Sequence, residues 1–140
     1  MTINEKQDEL VEEFEFLTDW IDKYEYIITS AKELPIIDDK YKQDQYLIKG
    51  CQSRVWLYPE IREGKVFFTA DSDAIISKGL VNLVVQVLSG YTPAEIVAAD
   101  VYFIDRIGLQ EHLSPTRSNG LLSMLKQIKL YAHAYNSLKA

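Results

Sequence analysis

The chain is poor in the residues that most often announce a chemistry. It has one cysteine, Cys51, and two histidines, His112 and His133. A single thiol closes no intramolecular disulfide, and without a CxxC pair there is neither a dithiol redox couple nor the ligand set of a structural zinc or an iron–sulfur cluster. Positive charge is also in deficit: fifteen Lys and Arg stand against twenty-one Asp and Glu, a formal net charge of −6. An acidic surface is repelled by phosphate backbones and anionic lipid, so neither nucleic acid nor a membrane is expected as the main partner. Long hydrophobic runs are missing as well. The most apolar window, Gly79 to Gly90, is broken by Asn82 and Gln86 and is too short to span a bilayer. The start, Met1 to Glu9, lacks the basic end and apolar stretch of a secretory signal. These absences suit a soluble protein in a reducing, cytoplasmic setting.

What is present is enough for a core. With 140 residues and 47% of them hydrophobic, one domain spanning 1–140 is expected. The solitary thiol sits at the centre of Tyr46 to Tyr58. Tyr46–Ile48 and Val55–Tyr58 are rich in aromatic and β-branched residues and read as strands, which places Cys51 in the turn between them. Gly50 lets that turn bend sharply, and Gln52, Ser53 and Arg54 offer polar groups or positive charge to a thiolate. Free cysteine is more often a small apolar filler. A polar loop led by glycine is an unusual place for one, and the two readings stand close to even.

Along the chain, Leu10, Phe14, Leu17, Ile21, Tyr24, Ile28 and Ala31 recur in steps of three and four, a helical stripe that predicts one bent helix or two in succession, with Thr18 or Asp19 as a cap and Leu34-Pro35 as the end. Residues 38–44 read as a loop. Val55 and Leu57, then Val66, Phe68 and Ala70 after a Glu63-Gly64-Lys65 turn, alternate as strands, and Pro59 confines its strand to an edge or a bulge. An antiparallel sheet of about three strands follows. Asp73 is well placed to cap a helix over Ile75–Ser89 that is apolar on nearly every side and stops at Gly90, with Gly79 marking close approach of another backbone. Thr92-Pro93 with Glu95 is a capping box for a short helix through Ala99, and Ser114-Pro115 opens a last helix carrying Leu121, Leu125, Ile128, Ala132, Tyr135 and Leu138. The fold class is α+β, a small sheet packed by N- and C-terminal helices.

A Cys/His hydrolase or transferase would need Cys51, His112 and an orienting group such as Asn119 or Asp73, but the spacing has no signature of that chemistry. Cys51, Asp73 and His112 would at most hold a metal adventitiously. A lone activated thiol can instead accept a sulfur and pass it on by displacement at a persulfide. Arg117, at a helix start, places a guanidinium where backbone N–H groups also favour an anion, or else serves as a surface cation.

Four blocks carry a resemblance. Gly50-Cys51-Gln52-Ser53-x-Val55-Trp56-Leu57, Asp71-Ser72-Asp73-Ala74 leading to Lys78-Gly79-Leu80, Tyr91-Thr92-Pro93-x-Glu95-Ile96, and Gly108-Leu109 with His112-Leu113-Ser114-Pro115-x-Arg117-Ser118-Asn119-Gly120-Leu121 resemble, in order and spacing, the SufE family of sulfur acceptors for cysteine desulfurases. Thr116 departs from the serine usual there, and Arg54 fills a variable position without an inherited role. The resemblance implies a fold shared with IscU-type scaffolds and Cys51 as the sulfur-accepting residue. It implies a SufS- or CsdA-like desulfurase as donor, whose pyridoxal phosphate belongs to that partner, and a SufBCD-like iron–sulfur scaffold as recipient. No cofactor or metal of the chain's own is implied. The cysteine loop would shelter the thiol in an apolar hollow and swing out at the desulfurase. Gly50, Gln52, Ser53, Asp73, His112, Arg117 and Asn119 would position the loop or touch the partner. A binding-only activator, which needs no thiol, is the remaining alternative.

Overall fold

The structure, a computed structural model, describes residues 1–138. Its elements are α1 (Ile3–Glu15), α2 (Trp20–Ser30), β1 (Val55–Arg62), β2 (Lys65–Ser72), α3 (Ile75–Leu88), α4 (Pro93–Ala98), α5 (Phe103–Ile107), α6 (Leu109–His112) and α7 (Pro115–Leu138). Short 3-10 turns at Ala31–Glu33, Asp39–Tyr41 and Asp44–Tyr46 fill the connection from α2 to β1. The α+β class is as expected.

Two N-terminal helices form because the chain is capped twice. Thr2 and Glu5 make a reciprocal capping box for α1, and the Asp19 carboxylate accepts the Asp22 N–H to start α2. The break between them rephases the apolar stripe. Phe14 and Ala31 are buried as expected, but Ile21 is 71% exposed and Ile28 is also exposed, while Ile27 is fully buried. A count in helical steps holds only within one helix, and the non-helical residues between α1 and α2 turn the second stripe away from the first.

β1 and β2 pair antiparallel from Val55↔Ser72 to Arg62↔Lys65. Glu63 (φ 51°) and Gly64 (φ 78°) supply the two left-handed residues of a mirror-image turn, whose twist matches the strands. Val55, Leu57, Val66, Phe68 and Ala70 face the core. The third strand expected at Tyr46–Ile48 is absent. Tyr46 ends a 3-10 turn and Gly50 diverts the chain, so only one antiparallel bridge, Leu47↔Trp56, and the Ile48 N–H to Val55 carbonyl bond (2.8 Å) remain. Pro59 lies on a strand with an open outer edge, where its missing N–H costs no ladder bond.

α3 is the buried centre, with Leu80, Val81, Val84, Val85, Val87 and Leu88 almost wholly removed from water, about 1.5–3 kcal/mol for each such side chain. It packs on α1, α2, β2 and α7. A Cβ at Gly79 would fall 2.2 Å from the Ile27 carbonyl oxygen, so α2 and α3 approach as only glycine permits. The Thr92–Glu95 capping box starts α4 as predicted.

α5 and α6 have too few residues to show a period. α5 is held from outside: the fully buried Gln7 of α1 accepts the Tyr102 and Phe103 N–H groups at 2.8 and 3.1 Å and donates to the Asp100 carbonyl at 3.0 Å. α7 buries Leu121, Met124, Ile128 and Ala132, half-buries Leu125 and Tyr135, and outruns the elements beneath it. Leu138, expected in that stripe, is therefore 81% exposed. Among the described residues no helix is long and apolar enough to cross a membrane.

Candidate functional site

The loop from Lys49 to Gln52 is anchored on both sides. Upstream, the Ile48 N–H to Val55 carbonyl bond closes its neck. Downstream, the Ser53 and Ser77 hydroxyls lie 2.7 Å apart, and the Arg54 N–H donates to Asp73 Oδ1 at 3.0 Å. The Arg54 carbonyl in turn accepts from Ser72 Oγ and the Asp73 N–H, at 2.8 and 3.2 Å. Asp73 is thus a clamp on the loop's exit and not the cap of α3. The capping position falls on Ala74, whose N–H donates to Ser72 Oγ, because the Asp73 carboxylate is already engaged with β1's leading edge.

Between the anchors the chain turns at Gly50 (φ 95°), where a Cβ would also meet Ser123 Oγ at 2.5 Å. Cys51 then points at the first turns of α7. Its Sγ donates to the Gly120 carbonyl at 3.6 Å, and a Cβ built on Gly120 would lie 3.4 Å from the sulfur. The thiol is half-buried at a cavity of about 220 Å³ with an apolar floor of Ile76, Leu80 and Met124. Gln52, Ser53, Ser77, Thr116 and Arg117 supply its polar lining.

Burial pushes the Cys51 thiol above the ordinary cysteine range, because a low-dielectric surround disfavours the thiolate. In this pose the sulfur is a protonated, weak nucleophile. Arg117 lies on the first turn of α7, its N–H donating to Ser114 Oγ at 3.3 Å, in keeping with a helix start at Ser114-Pro115. The Arg117 side chain is exposed and makes no ion pair among the described residues. Arg117 thus lines the thiol's cavity from the first turn of a long helix, the end at which the helix dipole is positive.

The remaining expected residues divide. Asn119 is exposed on α7 beside the cavity without lining it. His112 does not join Cys51: its ring stacks on Trp20 with centroids 4.0 Å apart and planes at 17°, and Nδ1 lies 3.0 Å from the Gly108 carbonyl oxygen. Tyr24 donates to the His112 carbonyl at 3.0 Å. This residue pins α6 to α2, because a flat aromatic partner and a local carbonyl satisfy the ring where it stands, so no thiol–imidazole pair with Asn119 or Asp73 is assembled. His133 is exposed on α7. Among the described residues no group of three or more His, Cys, Asp or Glu is placed to hold a metal. Sequence reading missed Ser77, Ser123 and Met124 as neighbours of the loop. The last two lie three and four residues beyond Gly120, the spacing that shares a helix face.

Fold and site together define an α+β domain that presents one thiol from a loop lodged against the starts of two helices. A family model described as SufE, an Fe–S metabolism associated domain, matches residues 8–132. The chain is 41% identical over 127 residues to an uncharacterized SufE-like protein of Rhizobium etli, covering 87% of this chain and 86% of that one. It is 38% identical over 127 residues to another from Rhizobium meliloti, covering 87% and 91%. The solution structure of a hypothetical protein from Thermus thermophilus shares the fold, with a TM-score of 0.76 at 20% identity over 96% of this chain and 97% of that one. The chain belongs to the SufE family, whose domain is associated with Fe–S metabolism.

Proposed function

We propose that this protein is a sulfur acceptor and carrier for iron–sulfur cluster assembly. Cys51 takes sulfur from the persulfide of a SufS- or CsdA-like cysteine desulfurase, speeds that enzyme by clearing its product, and delivers the sulfur to a SufBCD-like scaffold. The observation that carries the reading is the chain's single thiol, on a short segment anchored at both ends and tethered to α7 by one weak 3.6 Å bond. Such a segment shelters a sulfur and releases it at low cost.

The transfer balances without an added oxidant. The Cys51 thiolate attacks the outer sulfur of the donor persulfide, an S–S bond forms at Cys51 as the donor's own S–S bond breaks, and the donor cysteine leaves as a thiolate with the electron pair. The proton of the outer sulfur stays with the transferred atom. Leaving the cavity removes the desolvation that holds the thiol protonated, and Arg117 with the α7 terminus favours the anion that results. The pyridoxal phosphate works in the partner, and this chain acts as a carrier more than as an enzyme. It operates in the cytoplasm, where a free thiol persists.

The test is intact mass after incubation with a cysteine desulfurase and cysteine. One added sulfur that a reductant removes is expected on the unsubstituted chain and none on Cys51→Ser. Sulfur acceptance by Cys51→Ser would reject the assignment, and full stimulation of the desulfurase by that variant would make the protein a binding-only activator.

A further inference from the structure

The charge of this acidic chain is unevenly spread. Residues 1–39, which include α1 and α2, hold twelve carboxylates and three cations, whereas residues 40–140 hold nine carboxylates and twelve cations. The part of the sequence that carries Cys51 is the basic one. Lys49 precedes the Gly50-Cys51 turn, Arg54 leaves it, Arg117 lines the thiol's cavity, and Lys126 shares with Lys49 a groove that opens beside Gly50 between residues 44–49 and α7. All four side chains are exposed, and none makes an ion pair among the described residues. The carboxylates beside them are Asp44, which lines the same groove, and Asp73, which is hydrogen-bonded to the Arg54 N–H. Other nearby charges cancel locally: Lys42 lies between Asp39 and Asp71, at 3.4 and 2.7 Å, and Lys78 pairs with Asp71 at 3.4 Å.

Uncompensated like charges around one reactive atom, on a protein otherwise of the opposite sign, act on encounter. They raise the association rate with a surface of opposite sign and orient the approach. We infer that the sulfur-donating protein meets this chain through an acidic surface around its own persulfide, and that Lys49, Arg54, Arg117 and Lys126 steer that surface onto Cys51. The occupant is the donor because attraction at the rim acts on the sheltered thiol before any sulfur is bound. The inference rests on the reading of Cys51 as sulfur acceptor and names the character of its partner.

The test measures the carrier concentration that half-saturates stimulation of the desulfurase, at low and at high salt, for the unsubstituted chain, for the double variant Lys49→Glu with Lys126→Glu, and for Lys32→Glu. Lys32 is an exposed cation in the acidic part of the chain. For the double variant at low salt that concentration rises roughly tenfold, with the final extent of Cys51 persulfidation unchanged, and the difference shrinks at high salt as the charges are screened. Lys32→Glu shifts it little in either salt. A double variant that shifts no more than Lys32→Glu, or a shift that survives high salt undiminished, overturns the steering proposal while the acceptor reading stands. Absence of sulfur on the unsubstituted Cys51 at any salt ends both.

Discussion

Gly120 holds Cys51 twice over: its carbonyl accepts the thiol proton at 3.6 Å, and its missing side chain leaves the 3.4 Å of room that the sulfur occupies. α7 therefore serves as the wall of the thiol's resting place as well as a core helix. Inside a helix a glycine costs about 1 kcal/mol relative to alanine, so the contact is kept at some expense of helix stability.

Substitution at this position separates the two effects. Gly120→Ala adds a methyl at ordinary contact distance, so it stabilises the fold by about 1 kcal/mol and slows alkylation of Cys51 by a small reagent several-fold. Gly120→Leu exceeds the space and expels the sulfur, and alkylation accelerates. Thermal unfolding and timed iodoacetamide labelling read both. Equal labelling rates in the two variants would show that the wall does not shelter the thiol.

The pH dependence follows from burial. Because the folded Cys51 pKa lies above the unfolded one, the unfolded chain ionises first as pH rises. The stability contributed by the sheltered thiol is complete below the ordinary cysteine range and is lost as pH climbs through the higher folded value. Chemical denaturation at a series of alkaline pH values should show this extra loss in the unsubstituted chain relative to Cys51→Ser. The alkylation profile of the native chain should likewise rise at higher pH than that of an unstructured cysteine peptide.

Gly79 is the most demanding packing site in the core. A Cβ there would stand 2.2 Å from the Ile27 carbonyl oxygen, and backbone cannot yield as a flexible side chain does. Gly79→Ala should destabilise by about 1–3 kcal/mol despite its better helix propensity. Urea denaturation with an unchanged or raised midpoint would contradict the close approach of α2 and α3.

His112→Ala removes the ring stacked on Trp20 and should cost about 0.5–1.5 kcal/mol of stability. Sulfur acceptance by Cys51 should persist at temperatures where the variant stays folded, read by intact mass. Loss of acceptance in a folded variant would restore the thiol–imidazole chemistry that the geometry argues against.

Local signals were readable where one short segment decides its own conformation. The Glu63-Gly64 turn, the Thr92–Glu95 capping box, the Ser114-Pro115 start and the Asp19 cap all depend on residues within a turn of each other. The same local logic failed at Asp73, where an equally good cap was taken over by the Arg54 N–H from across the chain. It failed for α5 too, because Gln7, far away in sequence, supplies that helix's first acceptor. The expected strand at Tyr46–Ile48 had the right residues but too little straight chain between a 3-10 turn and Gly50.

By itself the sequence determined that one thiol must carry any sulfur chemistry, that Gly50 bends the chain beside it, and that helices flank a small hairpin, since these follow from residue identity and short-range spacing. Tertiary structure alone decided that Cys51 rests against Gly120, that Asp73 and Ser77 clamp its loop, and that His112 belongs to Trp20. Each of those contacts joins segments distant in the chain, and where such segments meet is set by the packing of α3 and α7, which no local pattern encodes.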